Sequence, residues 1–330
     1  MVVSRDPGLS SPPSVHALGL AGKEFVGLAD EFLVGFVARA TKTPAESMPP
    51  VPQLVILLLE CGLALSGLGF LGWFAFGKRG HAFRGQPAAL QPWDIAVPDF
   101  LALGWFILVF GLVGVALAEI FAGPIPKVPS DARTLKMLLY GSMLHFAAII
   151  TWPLARTLAR SFRPASYRPY GALTGASVRQ AVRGGGLTFL VAMPLILAAS
   201  FLWERLLEIV GLPTERQELV DLFFQAKSPV LLAFLITLAL VLAPVAEELV
   251  FRVGIFRFLR SRAPRWVAYV VSAGLFSAMH GNWFSALPLF VLGLVFAAGY
   301  ERTGRIAVPM VAHALFNLNT LLLVLSGVGG

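Results

Sequence analysis

The chain has 330 residues, of which 57% are apolar and 13% charged, with a formal net charge of +8. A soluble domain carries roughly 25% charged residues, so this composition, with a mean hydropathy of +0.77, excludes an ordinary soluble protein. The single cysteine, Cys61, excludes an intramolecular disulfide and a cysteine-cluster metal site.

Residues 1–50 form an N-terminal extension of different composition. The opening MVVSRDPGLSSPPS lacks the apolar core of a secretory signal. Residues 23–40 place Phe25, Leu28, Phe32 and Phe36 at helical spacing, the pattern of an interfacial amphipathic helix. A linker with Pro44, Pro49, Pro50 and Pro52 follows. Eight stretches then have the length and apolarity of membrane spans: about 53–76, 99–122, 137–157, 184–204, 229–252, 266–281, 284–301 and 306–327. With no water to satisfy the backbone, such spans must be helices. The expected fold is an all-α polytopic membrane helix bundle with about eight transmembrane helices. Gly281, Asn282 and Pro288 mark the break between the sixth and seventh spans. No internal repeat supports a transporter of duplicated halves.

The positive charge lies in alternate loops. Lys78, Arg79 and Arg84 follow the first span. Arg156, Arg160, Arg163, Arg168, Arg179 and Arg183 surround the third-to-fourth connection, and Arg257, Arg260, Arg262 and Arg265 the fifth-to-sixth. Arg302 and Arg305 lie between the last two spans, whereas the 205–228 loop holds Glu208, Glu215, Glu218 and Asp221. Lys127, Arg133 and Lys136 are the discordant group. This distribution predicts both termini outside and basic loops facing anionic lipid headgroups, with no nucleic-acid partner. Trp93, Trp105 and Trp283 read as interfacial anchors.

Ionisable groups at membrane depth mark function or a specific pairing, and they concentrate in the C-terminal third. The run PVLLAFLITLALVLAPVA, 229–246, ends in EELVFR with Glu247, Glu248 and Arg252; FSAMH carries His280, and HALFN carries His313 and Asn317. At 1.5 Å per residue, Glu247 lies about 15 Å from the Arg257 end of its helix. His280, His313 and Asn317 lie about 21, 12 and 18 Å from the same face. Glu248 and Arg252, at i and i+4, suit an ion pair. Glu247, rotated about 100° away, is left for chemistry. A carboxylate beside an imidazole in a low-dielectric pocket can deprotonate water, and a histidine with an asparagine amide can donate to an oxyanion. Outside this set, Glu60 is expected to face the bundle interior or its mouth and Glu119 to reach the interface. His145 is expected to make a helix–helix hydrogen bond.

These three segments match Glu-Glu-x-x-x-Arg, Phe-x-x-x-His and His-x-x-x-Asn in order. The pattern resembles the CPBP group of intramembrane proteases, which includes the type II CAAX prenyl endopeptidases and the bacteriocin-processing and self-immunity proteins. The resemblance divides the membrane part into N-terminal transmembrane helices over 51–160 and a CPBP-like core over 161–330. It implies that Glu247 and His280 activate water, that His313 and Asn317 form an oxyanion hole, and that Glu248 and Arg252 support them. It also implies a peptide or protein substrate, prenylated in eukaryotic members, and a cavity open to the membrane and the cytoplasmic side. A bacterial cytoplasmic membrane is the default location.

Two alternatives stay open at this stage. Glu247, His280 and His313 could hold zinc or another divalent metal with an open water position. The lack of an HExxH helix and the poor ligand quality of Asn317 favour a reading that requires no cofactor. A non-enzymatic immunity or scaffold protein on the same fold is the rival from another class, with a proton-coupled transporter behind it.

Overall fold

The computed structural model describes residues 50–76, 97–122, 131–151, 175–212, 228–260 and 262–325, and every regular element among them is helical. In chain order these are α1 (Pro50–Phe76), α2 (Val97–Ala122), α3 (Asp131–Gly141), α4 (143–151) and α5 (Gly175–Val210). They are followed by α6 (Pro229–Arg260), α7 (Arg265–Ala278), α8 (Ala286–Thr303) and α9 (Ala307–Leu325). Each of the eight expected spans falls on a helix, α3 and α4 together forming the third. The helix starts ahead of the expected span, at Asp131, and Leu135 packs against the bundle before the apolar run begins. Five of these helices are long and apolar enough to cross a membrane, and Ala307–Leu323 is a shorter apolar helix. The chain is an integral membrane protein.

The amphipathic stretch 23–40, Pro44, Pro49, Trp93, the basic residues at 78–84, 127 and 156–168 and the acidic residues Glu215, Glu218 and Asp221 lie outside the described residues, as does the side chain of Glu119. Pro50 and Pro52 of the expected linker fall in α1, and Arg133 and Lys136 of the expected loop fall in α3.

Within a bilayer, helices gain little from apolar burial and associate by close packing at small residues. Here α5 packs against α1, α8 and α9. A Cβ at Gly185 of α5 would stand 2.6 Å from the Val311 Cβ of α9, so a larger residue would push the two helices apart. Pro194 inside α5 has no N–H for the Leu190 carbonyl, and Gly67 of α1 is seated against that same carbonyl.

At one end of the bundle, Glu301 of α8 collects three partners. Arg260 Nε donates to it at 2.6 Å, Arg265 Nε at 2.9 Å and the Tyr269 hydroxyl at 2.7 Å. This cluster ties the end of α6 and the start of α7 to the end of α8. At its other end, α7 stops at Ala278, and Gly281 takes φ +63, the left-handed value that terminates helices. The expected break at Gly281 is thus present. At 14 residues, α7 is about 21 Å long, short of the hydrocarbon thickness of about 30 Å. The turn after it is pinned by Trp203 Nε1 donating to the Trp283 carbonyl at 2.6 Å and Ser277 Oγ donating to the Ala286 carbonyl at 2.6 Å.

Candidate active site

The glutamate pair sits on a helix that changes winding around it. α6 is π-helical over Leu238–Leu242, α-helical over Ala243–Glu248 and π-helical again over Leu249–Phe256. Such segments insert an i to i−5 register and recur at functional sites. The first has a local cause in Pro244. In the π register the Ala243 N–H bonds the Leu238 carbonyl, which passes over Ala239. The next donor in that register is Pro244, which has none. The Ala239 carbonyl is therefore left for another group, and Asn317 Nδ2 of α9 donates to it at 2.7 Å.

Glu248 and Arg252 are both fully buried. Arg252 Nε lies 3.1 Å from Glu248 Oε2, an ion pair in contact but not aligned as a hydrogen bond. Arg252 Nη2 also donates to the Gly293 carbonyl at 3.2 Å, and its guanidinium lies over the rings of Phe276 at 4.6 Å and Phe296 at 5.3 Å. The two aromatic faces and the carboxylate replace the water an arginine loses on burial.

His313, which is buried, joins the two glutamates. Its Nδ1 lies 3.1 Å from Glu248 Oε1 and its Nε2 3.9 Å from Glu247 Oε2. Glu248 was expected to be neutralised by Arg252 alone. It serves His313 as well, because α9 crosses α6 so that the imidazole enters between consecutive carboxylates. A carboxylate paired with arginine accepts, so His313 Nδ1 carries the hydrogen and its Nε2 faces Glu247.

His280 arrives from another direction. It was expected within the sixth span but lies in the turn beyond α7, since Gly281 ends that helix first. Its Nδ1 is 2.8 Å from the Phe276 carbonyl. A carbonyl can only accept, so Nδ1 is the protonated nitrogen and Nε2 is free. That Nε2 lies 4.0 Å from Glu247 Oε2.

The structure thus brings Glu247, His280 and His313 together from α6, the turn after α7 and α9. Asn317 stands one turn from His313 on the same helix, with one amide hydrogen committed to Ala239. Glu247 and His280 keep 22% and 24% of their side chains exposed against 0% for Glu248. Only the first glutamate can meet a small molecule.

Zinc ligands lie about 2.0–2.2 Å from the ion, so two donors on a tetrahedral ion stand about 3.3 Å apart. The 3.9 and 4.0 Å separations here are wider, and among the described residues no group of three His, Cys, Asp or Glu is arranged to hold a metal. As placed, the three side chains do not fit zinc.

Two ionisable residues outside the motifs also lie on described helices. Glu60 of α1 is buried, facing the interior, and is hydrogen-bonded to Asn319 of α9. His145 of α4 is close enough for the charge of Glu247 to act on it. Its Nδ1 is buried with no hydrogen-bond partner among the described residues, so the helix–helix hydrogen bond expected of it is missing at that atom. An ionisable residue inside an apolar span was the sequence signal for both.

The family model described as Type II CAAX prenyl endopeptidase Rce1-like matches residues 229–319. The Bacillus subtilis protein YdiL, a candidate membrane peptidase by name, is 31% identical over 28% of this chain and 38% of its own length. The Lactococcus lactis UPF0177 protein YbdI is 31% identical over 27% and 48%, and the Staphylococcus aureus membrane-embedded CAAX protease MroQ 35% over 23% and 34%. The chain therefore covers less than half the length of these relatives. No solved structure matches it. On these matches and the three motifs, residues 229–319 are similar to the CAAX-type intramembrane proteases of the CPBP family.

Proposed function

We propose that the protein is an intramembrane endopeptidase of a bacterial cytoplasmic membrane, with Glu247 as the base that activates water and no resident metal. One observation carries this reading: His280 Nε2 and His313 Nε2 stand 4.0 and 3.9 Å from the same oxygen of a partly exposed glutamate. All three atoms are acceptors in the neutral-ring state, and the gaps are too wide for direct hydrogen bonds. A group that brings its own hydrogens satisfies them, and water is the smallest.

The Glu247 carboxylate takes a proton from water held against His280, and the resulting hydroxide attacks the scissile carbonyl carbon. The oxyanion is met by the remaining amide hydrogen of Asn317, with the His313 ring beside it. When the C–N bond breaks, Glu247 returns its proton to the leaving amine. Glu248 takes no part in proton transfer and orients His313 through Nδ1, as a buried carboxylate orients histidine in other hydrolases. The family match and MroQ's name favour a CAAX-type substrate, prenylated or otherwise membrane-associated, with lipid as the surrounding partner.

The non-enzymatic reading has one observation in its favour, the commitment of an Asn317 hydrogen to Ala239. A cleavage assay separates the two. Prenylated and unprenylated CAAX peptides are incubated with wild type and with Glu247→Ala, each with and without a chelator. The account predicts cleavage by wild type that survives chelation and is abolished in Glu247→Ala. Activity lost on chelation contradicts the metal-free mechanism. Activity retained in Glu247→Ala contradicts the base, and failure to cleave any peptide favours the scaffold.

A further inference from the structure

His145 belongs to none of the three motifs and lies before the matched segment. Its position along α6 follows from the contacts of its neighbours. Leu135 and Leu138 pack against the cluster that holds Leu231 and Leu235 of α6, and Ile149, one turn beyond His145, packs against the cluster that holds Leu249 and Val253. The pairing runs parallel between these contacts, which sets residue 145 level with the α6 turn that holds Glu247. Ile149 and His145, at i and i+4, share a face, so the face of α4 that meets α6 carries the imidazole.

At that level the imidazole lies within electrostatic reach of Glu247. His145 Nδ1 and Glu247 Oε2 are also both shielded from solvent and without a hydrogen-bond partner among the described residues. Buried polar atoms are seldom left unpaired, and these two are complementary, one able to donate and the other to accept.

We propose that His145 is a positioning residue for Glu247: its ring N–H, through one bridging water, holds the carboxylate turned toward His280 and His313. This rests on reading Glu247 as the base, and it extends the site from the matched segment to a helix of the N-terminal half. Three imidazoles then surround one carboxylate from α4, the turn after α7 and α9.

The contact can be tested without a substrate. The chain has five histidines, so the ring-nitrogen NMR signals of the full-length protein in detergent can be assigned by single substitutions. Glu247→Gln is expected to shift the His145 signal, whereas Glu60→Gln leaves it in place. A His145 signal unmoved by Glu247→Gln overturns the proposal. With a prenylated CAAX peptide as probe, His145→Leu is expected to lower kcat about 10- to 100-fold at unchanged KM, the range for loss of an orienting partner. His145→Asn, which keeps an N–H donor, recovers part of that loss. Wild-type kcat in His145→Leu overturns the positioning role. Cleavage at the wild-type rate in Glu247→Gln overturns the base instead, and the NMR shift still decides the contact.

Discussion

Glu248 stands between a guanidinium and an imidazole with no solvent on any side, and that environment governs what its neighbours tolerate. Removing Arg252 leaves a buried carboxylate facing only His313. Loss of one partner from a buried ion pair costs about 3–5 kcal/mol. Arg252→Met is accordingly expected to lower the unfolding temperature in detergent sharply, and an unchanged temperature would contradict a structural role for the pair. Glu247→Gln removes no established hydrogen bond and should leave stability within about 0.5 kcal/mol of wild type. That the two glutamates meet different surroundings was legible in the sequence, because a helical step of about 100° separates them. The position of His313 against both was not. It depends on how α9 crosses α6, which residue spacing on either helix does not encode.

At the scale of the element, α6 is where expectation and structure differ most. An unbroken apolar run reads as a plain α-helix, and hydropathy cannot register a change from i−4 to i−5 bonding. Pro244 is the one trace of it in the sequence. If the orphaned Ala239 carbonyl is what Asn317 serves, Asn317→Leu should cost about 1–3 kcal/mol, as for a buried group left unsatisfied. Pro244→Ala restores a backbone N–H, so the same substitution in that background should cost clearly less. Equal costs in the two backgrounds, measured by thermal unfolding, would refute the clamp. The end of α7 was readable, since Gly281 supplies the positive φ that stops it. That His280 falls beyond this end, capping the Phe276 carbonyl, follows from the same glycine.

For the whole molecule, the order of spans was legible because membrane length and apolarity leave few alternatives, while their packing was carried by single small residues. Gly185 lets α9 approach α5, and α9 brings His313 to the site. Gly185→Leu is expected to lower both the unfolding temperature and peptide cleavage, although the residue itself is no member of the site. Cleavage and stability equal to wild type would show that the α5–α9 approach does not set the position of His313. The Glu301 cluster holds α6, α7 and α8 at the same end, where Gly299 of α8 is seated against Thr188 of α5.

The claim that joins these scales is that Glu247 is the base. Its most direct test is kcat for a CAAX-type peptide, compared between wild type and Glu247→Gln in preparations matched for unfolding temperature. General-base catalysis contributes about 10²–10⁴-fold, so a fall of at least about 100-fold at unchanged stability is predicted. A Glu247→Gln protein that cleaves the peptide at the wild-type rate would contradict the account.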